Sequence, residues 1–508
     1  MWRILLLITF FFDEGTANDC VPYRVDGEIV ACVCNATYCD GPFDDVPEVP
    51  KEGSSHWFMS NKQGDRMKMS QLEFGDCKES PKSQVLSIDT SKKYQTIIGF
   101  GGAFTDAVGI NLLKLSPATQ DQLLRAYYDR KKGSRYSLAR VPIAGVDAST
   151  RPYSYDDVPN DVKLEHFALT IEDYDYKIPY LKKALDLNPD TKFLSAAWTA
   201  PQWMKFTEDD ISGLTFLSYE YYKTYADYLI KFLDEYKKMG IDMWAISTGN
   251  EPLTALTFDV PLTSMGWMPE SMADWVGNYF GPALAASSHN ETLILAMDDN
   301  RSLLPWFVQP TLKCERSNKY VGGIAVHWYQ DYLAEPDVLD EIHNEFPNKF
   351  ILVTESSITT IWNTSQEKVG SWQHGERYIL TMIEYLNHWT VGWVDWNIAL
   401  DTTGGPNWQE VYLDAAIIVN PEADEFYKQP SYYAMQHFSR FVDRGSIRTS
   451  ITDTDAVKSS AFLTPSGNVA VVLYNRNDTA QHVILKDSQK RTLCFDLPPQ
   501  SMNTLIYH

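Results

Sequence analysis

Eight short apolar runs, each followed by a stretch of helical period, constrain this chain more than any other feature. They read IIGFGGA (97–103), YSLARVPI (136–143), KFLSAAW (192–198), MWAIST (243–248), TLILAMDD (292–299), GGIAVHWY (322–329), FILVTESS (350–357) and VGWVDWNIAL (391–400). Strands buried on both faces give continuous apolar runs, and their alternation with helices predicts a parallel sheet. The clearest helix is 218–240, where Tyr221, Tyr225, Tyr228, Leu229 and Phe232 share one face. Ser218 is its expected N-cap and Gly240 its expected C-terminal glycine. Eight strands are the number that closes a (β/α)8 barrel. An open doubly wound sheet would call for a dinucleotide fingerprint. GFGG at Gly99 lacks both the third glycine and a clean following helix, so a tight turn at the barrel's start is expected there.

Beyond residue 446 the helical period disappears. AVKSSAFLTPSGNVAVVLYNRND reads as two strands around a turn, and HVILKD, TLCFDL and NTLIYH follow as strands. These are too few for a stable sandwich alone, but SSHWFMS, DRMKMSQLEF and SQVLSIDT ahead of the barrel supply more. One β-sandwich built from both chain ends (46–93 and 447–508) is therefore expected to clasp a catalytic barrel (94–397 and 431–446).

The N-terminus combines Arg3, a nine-residue apolar core (Ile4–Phe12) and small residues Gly15 and Ala17. That pattern predicts a signal peptide over 1–17, cut before Asn18, and a core too short to span a bilayer. No later apolar run reaches the length of a transmembrane segment. A secretory route makes the seven cysteines informative. Cys20, Cys32, Cys34 and Cys39 crowd together, and their spacing favours disulfides over zinc without choosing a pairing. Cys77, Cys314 and Cys494 remain, so an odd count implies at least one free, buried thiol. Sequons at Asn35, Asn290, Asn363 and Asn477 are expected glycosylation sites, whereas Asn300 follows a strand-like run and is expected to be occluded. The net charge is −23, or −22 after loss of Arg3, Asp13 and Glu14 with the leader. Such a surface argues against nucleic acid as a partner and against unaided docking on anionic lipid at neutral pH.

Barrel enzymes carry their reacting groups at the C-terminal ends of the strands. Here those ends offer Arg140, Trp198, Asn250, Glu251, Asp298, Asp299, His327, Tyr329, Glu355 and Trp396. The fourth and seventh runs both end in glutamate, and Glu251 and Glu355 face each other only if the barrel closes. Facing carboxyls suit glycoside hydrolysis, one donating a proton while the other attacks or activates water. Aromatic strand ends suit the faces of sugar rings. His327 with Asp298 and Asp299 is the one metal candidate, and with so few histidines no metal and no cofactor is expected. Motifs for a serine hydrolase elbow, a P-loop or a zinc protease are absent from the sequence.

The stretches CVCNATYCD, GFGGAFTDA, ARVPIAGVD, AAWTAPQWMK, TGNEP, GIAVHWY, VTESS, GWVDWNIALD and GGPNW, in this order, resemble glycoside hydrolase family 30 from about Cys20 to the C-terminus. The resemblance implies a lysosomal, retaining β-glucosidase acting on glucosylceramide at a membrane surface, and the charge of −22 suggests a saposin-like activator or anionic lipid as a partner that acts only at acid pH. It implies Glu251 as acid/base and Glu355 as nucleophile. Asn250 would bind the sugar 2-hydroxyl, Tyr329 would bond the nucleophile, and Arg140 and His327 would support the carboxylates. Asp147, Trp198, Trp396 and Asn407 match sugar-contacting positions. Pairs Cys20–Cys32 and Cys34–Cys39 are implied too, as is a small antiparallel sheet joining 18–45 to 398–430. The motif before Glu251 departs from the family pattern, reading Ser-Thr-Gly-Asn-Glu-Pro, and the loop after Pro252 diverges. A β-xylosidase or steryl glucosidase on the same fold, or a non-catalytic sugar-binding scaffold, are the alternatives.

Overall fold

A computed structural model describes residues 19–41, 50–206, 215–256, 263–359 and 369–508. The expected leader and the sequon at Asn363 lie outside the described residues. Eight parallel strands close into a barrel in chain order: Gly99–Ala103, Leu138–Ile143, Lys192–Ala197, Met243–Ser247, Leu293–Asn300, Val321–His327, Phe350–Glu355 and Thr390–Asn397. Closure is made where Gly392 to Asn397 of the eighth strand pair with Gly99 to Ala103 of the first. Leu138, Leu194, Ala245, Leu295, Ala325, Leu352 and Val394 pack together inside, one from each strand but the first. Interior layers of this kind make the barrel a packed core rather than a pore.

The first strand shows why GFGG is glycine-rich, and corrects the expected tight turn. It is itself a barrel strand, buried throughout. A Cβ on Gly101 would lie 2.0 Å from the carbonyl oxygen of Leu138, and one on Gly102 would lie 2.4 Å from Ile398 Cγ2. Glycine is needed because neighbouring backbone comes close, not because the chain turns. The helix after the third strand also differs at its start. Residues 219–221 form a short 3-10 turn and the α-helix runs Tyr222–Lys238. Ser218 makes no capping hydrogen bond with its side chain, while Gly240 adopts φ +82° just past the helix end.

Strands from both chain ends form the second module, ordered Thr492–Leu497, Gln481–Lys486, Gln84–Thr96, Ile447–Ile451, Val457–Leu463, Val469–Asn475, Ser501–Tyr507, Ser54–Asn61 and Lys68–Glu73. The long strand Gln84–Thr96 pairs with Gln481–Lys486 through its first half and with Ile447–Ile451 through its second. It thus belongs to both layers of the sandwich, whose core includes Leu86, Ile88, Val471, Leu473, Val483, Phe495 and Leu505. The same strand runs on past the expected break at residue 93 and leads almost directly into the barrel.

A third, five-stranded sheet joins Val21–Val25 and Glu28–Asn35 to Glu425–Lys428, Ile417–Asn420 and Ala399–Asp401. Its last pair, Ala399–Asp401 with Ile417–Asn420, is parallel, so the sheet is mixed rather than wholly antiparallel. Disulfides Cys20–Cys32 and Cys34–Cys39 hold its N-terminal edge. Two of the three remaining cysteines pair as Cys77–Cys494, tying the sandwich's two chain segments. Cys314 is the free thiol and is half-buried rather than buried. Replacing Gly101 by Ala forces the first two strands apart and should cost about 3 kcal/mol, read as a lower unfolding midpoint in urea.

Candidate active site

The fourth strand ends in a turn that every neighbouring strand helps to fix. Asn250 donates its N–H to the Ala197 carbonyl at 2.9 Å, and Glu251 donates its own to the Asp298 carbonyl at 2.9 Å. Gly249 takes φ +139° and Glu251 φ +40°. The second is a left-handed conformation that costs a glutamate on the order of 1 kcal/mol and persists because those contacts over-determine it. Thr254 closes the turn, its hydroxyl donating to Glu251 Oε2 at 3.0 Å. Across the barrel Glu355 ends the seventh strand. One oxygen of Glu251 and one of Glu355 lie within 4.8 Å of each other.

Arg140 joins these two strand ends. It was expected at a strand's C-terminal end but sits mid-strand, fully buried, and reaches the site through the length of its side chain. Its Nη1 donates to Glu355 Oε2 and its Nη2 to Asn250 Oδ1 at 2.7 Å and Asp298 Oδ2 at 2.9 Å. Only an oxygen can accept from a guanidinium, so Asn250 is oriented with Nδ2 as its donor. The guanidinium carbon lies 4.9 Å from the Trp198 ring centre and 5.3 Å from that of Trp396, and these two rings stack at 5.0 Å. Tyr329 donates to Glu355 Oε1 at 2.7 Å. His327 meets Glu251 Oε1 through Nδ1 at 3.0 Å and Asp298 Oδ1 through Nε2 at 3.1 Å.

Charge in this cluster follows from burial and pairing. Burial works against a charged His327, but Glu355, Asp298 and Glu251 outweigh it and raise its pKa to about 10. The imidazolium therefore donates from both nitrogens and has no lone pair for a metal, although Glu251, His327 and Glu355 are close enough to share one. Burial alone would raise Asp298, yet Arg140, His327 and Thr354 hold it far below the usual carboxylate range. Asp147 is raised to about 7 by burial and then by the charge of Glu355. Trp396 Nε1 donates to its Oδ2 at 3.3 Å, and its Oδ1 is buried with no hydrogen-bond partner among the described residues. Asp299 is raised to about 7 by burial and then by Glu251.

The structure brings Arg140, Asp147, Trp198, Asn250, Glu251, His327, Tyr329, Glu355 and Trp396 into one linked cluster. Asn407 stands apart from those contacts. Its amide donates to Gly404 and Val411 carbonyls at 3.2 and 2.8 Å and accepts the Val411 N–H at 3.1 Å, which fastens its own loop. The neighbouring Trp408 docks that loop on Val146, beside Asp147. Asp298, weighed from sequence only as a strand-end acid and metal candidate, instead pairs with Arg140, His327 and Thr354, and Thr354 itself was not foreseen. Among the sequons, Asn290 is exposed, Asn35 and Asn477 are half-buried and Asn300 is buried, as its place in a strand predicted. A cavity of about 870 Å³ lies away from this site, at the other end of the barrel beside the sandwich, and contains none of these residues.

Residues 97–442 match the glycosyl hydrolase family 30 TIM-barrel domain, and residues 445–505 match the β-sandwich domain of the same family. The chain belongs to glycosyl hydrolase family 30. It is 37% identical over 515 residues to the lysosomal acid glucosylceramidase of Mus musculus, covering 99% of each. Among solved structures it resembles SrfJ from Salmonella typhimurium, with a TM-score of 0.82 and 26% identity over 90% of this chain and 99% of that one. The endo-β1,6-glucanase BT3312 matches with a TM-score of 0.80 and 28% identity, over 90% and 99%. The relatives thus include a glucosylceramidase and an endo-β1,6-glucanase.

The shifts above set a pH dependence for this family 30 fold. Asp147, Asp299 and Asp395 are each raised to about 7, burial being the first cause in all three. A carboxyl that holds its proton more tightly when folded contributes stability below its unfolded value, and that contribution is lost as pH rises to its folded value. His327 acts in the same sense, contributing fully below pH 6.5 and losing its contribution towards 10. Asp298, held low, opposes them only at pH values under the ordinary aspartate range. Thermal unfolding should therefore occur a few degrees higher at pH 5 than at pH 7.5 by scanning calorimetry.

Proposed function

We propose that this chain is a retaining β-glucosidase that hydrolyses glucosylceramide, with Glu355 as nucleophile and Glu251 as acid/base. The carrying observation is the approach of the two carboxyls to within 4.8 Å across the barrel mouth. Retention needs carboxyls about 5–5.5 Å apart, whereas inversion needs about 6.5–9.5 Å to admit a water. Arg140 pairs with Glu355 and Asp298, and His327 with Asp298 and Glu251. In the first step Glu355 attacks the anomeric carbon while Glu251 gives its proton to the ceramide oxygen. A glucosyl-enzyme ester forms and ceramide leaves. In the second step Glu251, now ionised, takes a proton from water, which attacks the anomeric carbon and frees glucose and Glu355.

The other side chains have supporting roles in this reading. Asn250 presents Nδ2 to the 2-hydroxyl, where a hydrogen bond strengthens as positive charge develops on the ring. Tyr329 and Arg140 orient Glu355 by two donors to different oxygens. Asp147, with one oxygen lacking a hydrogen-bond partner among the described residues, and the Trp198–Trp396 pair suit sugar hydroxyls and a ring face. Asn407 acts through the loop it fastens rather than by contact.

Substrate at a lipid surface fits the exposed Trp306, Tyr332 and Leu333, which follow the C-terminal ends of the fifth and sixth strands. Among the described residues no helix is long and apolar enough to cross a membrane. The likeness to a lysosomal relative supports a lysosomal location. The acidic surface supports an activator of saposin type or anionic lipid that acts at acid pH.

Two outcomes test the reading. Glu355→Gln should reduce cleavage of glucosylceramide micelles and of an aryl β-glucoside to background, and a cyclitol epoxide should label Glu355 in the parent protein by mass spectrometry. Parental rates in E355Q would falsify the assignment. Binding to phosphatidylserine vesicles should be markedly tighter at pH 5 than at pH 7.5 in a flotation assay, since carboxylate charge is lost on acidification.

A further inference from the structure

Asp298 and Asp299 are consecutive, yet their side chains go to different places. The cause is a bulge in the fifth strand, whose register against the sixth shifts between Met297 and Asp299. Met297 and Asp298 both have positive φ, +79° and +58°. Neither is glycine, so the strand stores strain beside the site. The bulge sends Asp298 into the barrel, to Arg140, His327 and Thr354. It sends Asp299 behind the Glu251 turn, where Oδ2 accepts the Leu253 N–H at 3.3 Å. Its Oδ1 accepts the N–H of Asn300 at 2.7 Å and its side-chain Nδ2 at 3.0 Å. Asp299 is almost fully buried and, among the described residues, has no basic side chain as a hydrogen-bonding partner there.

The turn is thus gripped at two points by adjacent residues of one bulge: Glu251 N–H by the Asp298 carbonyl and Leu253 N–H by the Asp299 carboxyl. We propose that Asp299 is a positioning residue for the acid/base step, fixing Glu251 in its left-handed, proton-donating geometry by its grip on the Leu253 N–H. The proposal rests on the reading of Glu251 as acid/base.

Burial and then Glu251 hold a proton on Asp299 up to about pH 7. Around Glu251 the other charged groups are His327 from the sixth strand, Asp298 from the fifth, Glu355 from the seventh and Asp147 from the loop after the second. Arg140 of the second strand is engaged with Glu355 and Asp298. Among the described residues none of these side chains grips the Leu253 N–H, which Asp299 holds.

Leaving-group chemistry separates this role from a merely structural one. A dinitrophenolate departs without a proton, whereas an alkoxide needs the general acid. Asp299→Ala should lower kcat/KM on an alkyl β-glucoside about tenfold or more while changing it less than about twofold on 2,4-dinitrophenyl β-glucoside. Asp299→Asn keeps an acceptor for Leu253 and should restore most of the alkyl-glucoside rate that D299A loses. If circular dichroism shows D299A unfolded, Asp299→Ser, whose side chain is one bond shorter and withdraws the acceptor from Leu253, carries the comparison in its place. Equal losses on the two glucosides, or a D299N protein as impaired on the alkyl glucoside as D299A, overturns the proposal. A parent protein that cleaves neither glucoside overturns the glucosidase reading instead, so the two failures are distinct.

Discussion

A single buried guanidinium holds the catalytic end of this molecule together. Arg140 has no exposure, and its charge is tolerable only because Glu355 and Asp298 face it and Asn250 takes a further donor. A buried ion pair is poor evidence for net stability, because desolvation consumes much of the attraction. Its value here is directional. One side chain contacts residues from the fourth, fifth and seventh strands, so the two glutamates cannot shift independently. Trp198 and Trp396 flank the guanidinium face and exclude water from it, which strengthens every charge interaction in the cluster.

The site also stores strain, and stores it where the chemistry is. Glu251, Met297 and Asp298 occupy left-handed conformations that β-sheet geometry does not supply. Each is held by backbone contacts across neighbouring strands, so the barrel's closed hydrogen-bonding ring carries the cost. The remainder of the chain stiffens this arrangement. The sandwich uses strands from both termini, and its shared strand Gln84–Thr96 leads into the first barrel strand. The loop fastened by Asn407 and Trp408 braces Val146 next to Asp147.

Much of this was legible beforehand, and unevenly so. All eight barrel strands coincide with apolar runs, because a strand buried on both faces writes its burial into the residue types. Glu251 and Glu355 were legible because position at a strand end is a local property. Arg140 was found but placed wrongly, since a sequence shows a residue's place along a strand and not the reach of its side chain. The start of helix Tyr222–Lys238 was misjudged because serine is a good cap in general, while a 3-10 turn here lets Tyr221 take that place. The parallel edge of the small sheet and the Cys77–Cys494 pair depend on contacts between distant segments, which spacing does not encode.

The residue pattern by itself determined the barrel, the sandwich strands and the presence of two carboxyls at strand ends, because each follows from local periodicity and burial. Tertiary structure alone decided that those carboxyls come within 4.8 Å, that His327 is charged and Asp298 ionised, and that adjacent aspartates part company at a bulge. Distances between strands and the field inside a closed ring arise only when the ring closes. No stretch of chain shorter than the whole barrel contains that information.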